Sequence, residues 1–293
     1  MLPKDLIRRI RRLEITTRKA VSDLLAGQYH SVFKGRGMAF SEVRQYQAGD
    51  EIRIIDWNVT ARMNDAYVKV FTEERELTVM LVVDVSASAD FGSTTQTKSE
   101  LAAEVAAQIA FSAIANNDRV GLILFSDRVE HVIPPKKGRK HVLRVVSDIL
   151  SFKPQGKGTD LSTGLTYLSR VSKRRAVTFL ISDFMAADLE KPLRIARRRH
   201  DLVPVAISDP MEEAFPKLGL VQMEDPETGE RVLVDTADPL VRGRFARWMR
   251  ERRDQRNTTF KRLQLDYVEL GGGADYVTAL ARFFKARARR MAA

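Results

Sequence analysis

Short runs of consecutive apolar residues alternate along the chain with longer segments in which apolar residues recur every three or four positions. The short runs are typical of strands buried on both faces, and the longer segments predict helices. Strands that alternate with helices in this way form a parallel sheet covered by helices on both faces. The predicted strands are residues 77–85, 119–125, 176–183, 202–208 and 265–270, and the predicted helices are residues 98–117, 141–152, 161–172, 189–200, 237–264 and 274–291.

Two segments depart from this alternation. Residues 129–135 predict a short strand that suits an edge of the sheet, because Pro134 and Pro135 have no backbone N–H to donate. Residues 210–236 predict a hairpin with its turn at Asp225-Pro-Glu-Thr-Gly-Glu230. The predicted fold class is therefore α/β, with a doubly wound, mostly parallel, Rossmann-like sheet and one antiparallel edge strand.

The first 75 residues carry a different pattern. Residues 3–26 predict an amphipathic helix with a basic outer face, and residues 28–76 are irregular apart from a short strand over residues 66–71. We predict two domains: an N-terminal helix and irregular segment in residues 1–75, and an α/β domain in residues 76–293 that contains the hairpin insertion 210–236.

Acidic residues and arginines alternate densely within the irregular segment. They predict an ion-pair network that locks this segment to the sheet. Trp57 is expected to be buried, with a partner contact as the alternative. The residues concerned are Arg44, Asp50, Arg53, Asp56 and Arg62.

Oxygen-bearing side chains stand at the ends of the predicted strands. The apolar run of the first strand ends at Asp84 and is followed by Ser86 and Ser88, and Asp183 ends the fourth strand. Thr159 lies in a glycine-rich loop, where it or Asp160 caps the next helix. Ligands of open α/β folds bind at the carboxyl ends of strands, so we expect these oxygens to converge if the first and fourth strands are neighbours. Such hard donors suit Mg²⁺, with Mn²⁺ or Ca²⁺ as alternatives.

These residues resemble a known metal site. Asp84-Val-Ser-Ala-Ser88, Thr159 and Asp183 together look like the metal-ion-dependent adhesion site of von Willebrand factor A domains. The resemblance implies that both serines bind the metal directly, that Thr159 does so in one state, and that the aspartates bind directly or through water. It also implies an open coordination position for a partner's acidic side chain. Asp160 and Ser182 are interpreted as structural support.

A second resemblance concerns the segment before the α/β domain. Residues 40–46, 49–53, 55–57 and 61–62 resemble the bacterial family catalogued as domain of unknown function fifty-eight, and the likeness extends over residues 28–210. Members of that family are von Willebrand factor A-like and are commonly linked with MoxR-type AAA+ ATPases. The resemblance implies an adaptor or co-chaperone that docks such an ATPase, its client, or both.

Missing residue types and motifs help to choose between an interaction module and an enzyme. The chain has no cysteine, which excludes disulfides and thiolate metal sites. It shows no Walker loop, HExxH or Gly-x-Ser-x-Gly motif, and its four histidines are distant in sequence from the candidate ligands. We therefore favour a non-enzymatic interaction module over a metal-dependent hydrolase or phosphatase. The histidines are His30, His131, His141 and His200.

The net charge of +11 raises the question of an acidic partner. Arginines of the predicted helix 237–264 spread over several faces, so no nucleic acid is expected as a ligand, although a basic nucleic-acid-binding protein is the third alternative. The basic N-terminal helix leaves peripheral contact with a membrane open. No run of eighteen apolar residues and no secretory signal is present, and a cytoplasmic location is expected.

Overall fold

The computed structural model describes residues 39–63, 65–72, 76–94, 96–186, 188–273 and 275–292. The basic helix predicted over residues 3–26 lies outside these ranges. The described residues fall into two compact units, one that ends at Leu77 and one that begins at Thr78.

The smaller unit is a two-stranded antiparallel sheet with a short helix. Strands β1 (Ala39–Gln45) and β2 (Tyr67–Thr72) pair with each other, and a 3-10 turn (Ile52–Ile54) and helix α1 (Trp57–Met63) connect them. The sequence pattern predicts only the second strand, so the description of residues 28–76 as otherwise irregular is wrong for β1 and α1.

Charged side chains hold the turns of this smaller unit. Arg44 donates two hydrogen bonds to the Asp50 carboxylate, at 2.8 and 2.6 Å, and these bonds hold the pKa of Asp50 below its usual range. Asp56 accepts hydrogen bonds from the backbone N–H groups of Asn58 and Val59 in the first turn of α1, and its carboxylate lies 3.6 Å from Lys69 Nζ. The expected burial of Trp57 is wrong, because its side chain is 66% exposed.

The larger unit is built on a six-stranded sheet. Its strands are β3 (Thr78–Asp84), β4 (Arg119–Phe125), β5 (Val129–Lys136), β6 (Val177–Ser182), β7 (Asp201–Ser208) and β10 (Val268–Gly271). Their order is β10-β7-β6-β3-β4-β5, in which every neighbouring pair is parallel except β4 and β5. The antiparallel strand β5 is at one edge, as Pro134 and Pro135 predict.

Helices connect and cover these strands. They are α2 (Lys98–Ala115), α3 (Arg139–Ser151), α4 (Leu161–Val171), α5 (Glu190–Arg199), the short α6 (Pro210–Glu213), α7 (Pro239–Arg262) and α8 (Tyr276–Ala292). A separate hairpin of β8 (Leu220–Glu224) and β9 (Arg231–Asp235) lies between α6 and α7. Among the described residues, no helix combines the length and the apolar character needed to span a membrane.

The central strands are buried on both faces, as continuous apolar runs require. Residues 79–84 of β3, 120–125 of β4 and all of β6 are buried. Strand β3 pairs with β4 on one side and with β6 on the other. The chain adds β4 and β5 on the first side and then crosses over to add β6 on the second. β3 and β6, which correspond to the predicted first and fourth strands, are therefore neighbours at the topological switch point, where ligands of this fold class bind.

Candidate metal centre

Two carboxylates flank the switch point. Asp84 is the last residue of β3, and Asp183 directly follows the last residue of the neighbouring parallel strand β6. Ser86 and Ser88 lie in the turn that leaves β3, where residues Ala87–Asp90 form a 3-10 helix. The sheet therefore brings together four of the five predicted ligands at the carboxyl ends of adjacent strands.

The two serine hydroxyls form a chain that ends on Asp183. Ser86 Oγ lies 3.1 Å from Ser88 Oγ, and Ser88 Oγ donates a hydrogen bond of 3.1 Å to Asp183 Oδ2. An octahedral Mg²⁺ with bonds of about 2.1 Å separates adjacent ligand oxygens by about 3.0 Å. Each of these two distances therefore equals, within about 0.1 Å, the separation of adjacent ligands around such an ion.

The Asp84 side chain is buried, and each of its carboxylate oxygens accepts a hydrogen bond. Its Oδ1 accepts the Ser86 backbone N–H at 3.0 Å, and its Oδ2 accepts the Ser182 hydroxyl at 2.7 Å. Burial and the nearby Asp183 carboxylate raise the pKa of Asp84 to about 6, although the hydrogen bonds oppose this shift. Ser182 thus supports Asp84 from behind, and an Asp84 held in this way suits contact with a metal through water.

Thr159, the fifth predicted ligand, lies on a different loop, between α3 and α4. The backbone N–H of Ala87 donates to the carbonyl of Lys157 at 3.0 Å, which ties this loop to the serine turn. Asp160 accepts the Ser162 N–H and caps α4, so the alternative cap by Thr159 is not used. Thr159, Ser88 and Asp183 line one cavity.

The Thr159 hydroxyl has a partner that the sequence did not indicate. It donates a hydrogen bond of 2.8 Å to Oε1 of Glu227, in the turn of the β8–β9 hairpin. Glu227 is half-buried and lines the same cavity as Ser88, Thr159 and Asp183. No local pattern separates Glu227 from its acidic neighbours, because only the tertiary placement of the hairpin brings it to Thr159.

A buried lysine also contacts the site. Lys98 Nζ lies 2.8 Å from Asp183 Oδ2 and 2.6 Å from Glu212 Oε1, and the side chain is only 5% exposed. Burial lowers the pKa of Lys98, but the Asp183 and Glu212 carboxylates outweigh it and the net shift is upward. The Thr97 capping box begins α2 at Lys98 and so fixes its position. Lys98 places a positive charge beside one predicted metal ligand.

The donor set decides which ion this arrangement suits. Among the described residues, no group of three or more His, Cys, Asp or Glu side chains is arranged to hold a metal. The candidate donors are instead hydroxyls and two carboxylates, which are hard oxygen ligands. Such a set fits Mg²⁺ or Mn²⁺ held partly by water, with Ser86, Ser88 and Asp183 closest together.

An apolar groove adjoins these donors. The cavity that Ser88, Thr159 and Asp183 line has a volume of about 730 Å³. The rings of Phe215 and Phe245 stack in its wall with centroids 3.7 Å apart. Further apolar side chains of the wall are Phe91, Met185, Met211, Leu218, Val221, Met223, Trp248 and Met249. Several of them are open to solvent, with Leu218 62% and Trp248 47% exposed.

The order of the strands in the sheet, with one antiparallel strand at its edge, is that of a von Willebrand factor A-like fold. The model of the family described as protein of unknown function DUF58 matches residues 42–255, and the chain belongs to that family.

The chain is similar to uncharacterized mycobacterial proteins. It is 31% identical over 283 residues to Mb1516 of Mycobacterium bovis and to Rv1480 of Mycobacterium tuberculosis. Each alignment covers 96% of this chain and 89% of the relative. MAV169 of Mycobacterium avium is 28% identical over 160 residues, which cover 54% of this chain and 94% of that protein.

Solved structures with a similar fold share little sequence with the chain. BatB from Bacteroides thetaiotaomicron is 15% identical with a TM-score of 0.49, and the match covers 73% of this chain and 99% of BatB. The SpRpn10 VWA domain is 15% identical with a TM-score of 0.35, over 45% of this chain and 76% of that domain. Proximal thread matrix protein 1 of the mussel byssus, described with a zinc-occupied MIDAS motif, is 14% identical with a TM-score of 0.37, over 46% of this chain and 39% of that protein.

Proposed function

We propose that the protein is a non-enzymatic interaction module that docks another protein through a divalent metal, with Mg²⁺ as the expected ion. The observation that carries this proposal is the oxygen cluster at the switch point, where Ser86, Ser88 and Asp183 are spaced as adjacent ligands of an octahedral ion. The ion would supply a positive charge that attracts an acidic side chain of the partner. Asp84 and Thr159 complete the proposed ligand set.

The surroundings of the cluster favour a protein ligand. The groove beside it presents aromatic and methionine side chains to solvent, and such residues are enriched at the centres of protein interfaces. The carboxylate of the partner would contact the metal while neighbouring apolar side chains pack in the groove. Adaptable methionines suit a surface that accepts a peptide segment.

The proposed partner is a MoxR-type AAA+ ATPase, its client, or both, within the cytoplasm. This part of the proposal rests on the resemblance of residues 40–62 to a family commonly linked with such ATPases, together with the membership of the chain in that family. The module would act as an adaptor or co-chaperone. Neither nucleic acid nor catalysis is required.

The positions of three histidines also favour binding over hydrolysis. Among the described residues, His131 contacts Asp148, His141 contacts the carbonyl of Val120, and His200 accepts the Ala176 N–H. All three rings are engaged away from Ser86 and Asp183. None of these three histidines is therefore placed as the general base that a hydrolase would need near the oxygen cluster.

The test uses a purified MoxR-type AAA+ ATPase from the same organism, immobilised on a biosensor. We expect binding in Mg²⁺, loss of binding in EDTA, and loss of binding by Asp84→Asn, which preserves the side-chain shape. Binding that survives both EDTA and Asp84→Asn would overturn metal-dependent docking. Turnover of a generic phosphoester that disappears in Asp84→Asn would support the hydrolase alternative instead.

A further inference from the structure

The β8–β9 hairpin places a carboxylate against Thr159, one of the predicted metal ligands. Glu227 accepts the hydrogen bond of Thr159 at 2.8 Å, although the two residues are 68 positions apart. Its other oxygen lies over Gly158, where a side chain would come within 3.8 Å of it. Glu227 therefore occupies the cavity where the proposed function expects an acidic side chain from a partner.

The turn that carries Glu227 is ordered by its own hydrogen bonds. Asp225 Oδ1 accepts the backbone N–H of Glu227 at 2.8 Å and that of Thr228 at 3.3 Å. Gly229 donates to the Asp225 carbonyl at 2.7 Å and adopts a positive φ of 74°, a conformation that glycine tolerates. These contacts order the backbone of the turn that carries Glu227.

The strands beneath the turn have the properties of a movable element. The hairpin is a separate two-stranded sheet, and such a sheet is marginally stable by itself. Most of its residues are exposed, including the apolar side chains of Leu220, Val232 and Leu233. A hairpin that buries so little of its surface can leave the site at small cost.

We propose that the β8–β9 hairpin is an internal ligand of the metal centre. Glu227 takes the position that the carboxylate of the partner would take, so hairpin and partner compete for it. The hairpin then keeps the module closed until an acidic segment of the partner displaces it. This inference rests on the proposed function, because the competition requires a metal bound by Ser86, Ser88 and Thr159.

The test uses Mn²⁺ as the probe and the full chain as wild type, Glu227→Gln and Glu230→Gln. Glu230 is an exposed acid of the same turn, so Glu230→Gln matches the change in charge. Water-proton relaxation measures how many exchangeable waters the bound Mn²⁺ carries, and titration gives its affinity. We expect Glu227→Gln to weaken Mn²⁺ binding about tenfold. The relaxivity of the bound ion should rise by the amount that one additional water ligand gives. Glu230→Gln should behave as wild type does.

Hydrogen exchange of the hairpin provides a second readout. We expect Mn²⁺ to slow the exchange of residues 220–235 in wild type and in Glu230→Gln, and to leave it unchanged in Glu227→Gln. If Glu227→Gln keeps the Mn²⁺ affinity, hydration and hairpin protection of wild type, the internal ligand is overturned while the metal site stands. If wild type does not bind Mn²⁺, the proposed function falls and this inference falls with it.

Discussion

The hydroxyl of Ser88 donates a hydrogen bond of 3.1 Å to the carboxylate of Asp183, 95 residues further along the chain. This contact joins the turn after β3 to the end of β6, and it exists because the two strands are parallel neighbours. The pairing of these strands thus assembles the proposed metal centre from two distant segments.

The serine hydroxyls should dominate metal affinity. We expect the double variant Ser86→Ala/Ser88→Ala to bind Mg²⁺ at least about a hundredfold more weakly, a loss of about 2.7 kcal/mol, because two direct ligands are removed. Isothermal titration calorimetry measures the affinity. The control Ser162→Ala removes an exposed hydroxyl from the first turn of α4 and should bind as wild type does. Equal affinity of the double variant and the control would contradict the assigned ligands.

Asp84 should make the stability of the metal-free protein depend on pH. Its pKa is about 6 in the fold, compared with about 3.9 in an unfolded chain. Between these values the folded state binds more protons, so the free energy of unfolding should fall by about 2 kcal/mol as pH rises from about 4 to 7. Urea denaturation at several pH values measures this, and Asp84→Asn should remove this part of the dependence. An unchanged pH dependence in Asp84→Asn would show that another group is responsible.

The same ionisation should affect metal binding in the opposite direction. The metal requires the charged carboxylate, so Mg²⁺ affinity should decrease as pH falls below about 6. Calorimetry at pH 5 and pH 7.5 distinguishes this outcome from an affinity that is constant across the range.

Lys98 should weaken metal binding while it stabilises the metal-free fold. Replacing Lys98 with Met removes a positive charge 2.8 Å from Asp183 Oδ2, so Mg²⁺ affinity should rise about tenfold. The free energy of unfolding without metal should fall by about 3 kcal/mol, because Asp183 and Glu212 lose their buried counter-charge. Calorimetry and urea denaturation measure the two effects. Lys191→Met, at an exposed position of α5, is the control. Weaker Mg²⁺ binding by Lys98→Met would contradict the prediction that Lys98 opposes metal binding.

Two helical glycines should respond oppositely to alanine. A Cβ at Gly164 in α4 would lie 2.9 Å from the ring of Phe125, so Gly164→Ala should destabilise the protein by about 1–3 kcal/mol. A Cβ at Gly243 in α7 meets nothing within 4 Å, so Gly243→Ala should stabilise it by about 0.5–1 kcal/mol. Thermal denaturation of both variants checks the packing of α4 on β4. A stable Gly164→Ala variant would mean that α4 packs further from the sheet.

The sheet and its ligand-bearing edge could be predicted because they depend on local patterns. The apolar runs that end at Asp84 and Asp183 indicate buried parallel strands, and parallel strands place their carboxyl ends together. The contacts of Lys98 and Glu227 could not be predicted, because they depend on how α2 and the hairpin pack. In the smaller unit, the seven residues of α1 span about two turns, too few to show a helical period.

The exposure of Trp57 illustrates a different limit. An aromatic residue amid charged residues is often buried, but burial depends on which neighbouring elements cover it. Here Trp57 opens a short helix whose first turn Asp56 caps, and its side chain is 66% exposed. The composition of the segment does not show which elements pack over Trp57.

The most direct test of the metal centre is a crystal structure of the protein grown with Mn²⁺, with an anomalous difference map recorded at the manganese edge. We expect a peak within about 2.1–2.3 Å of Ser86 Oγ and Ser88 Oγ, beside Asp183. Saturating Mn²⁺ with no peak at these oxygens, or with a peak elsewhere in the chain, would contradict it.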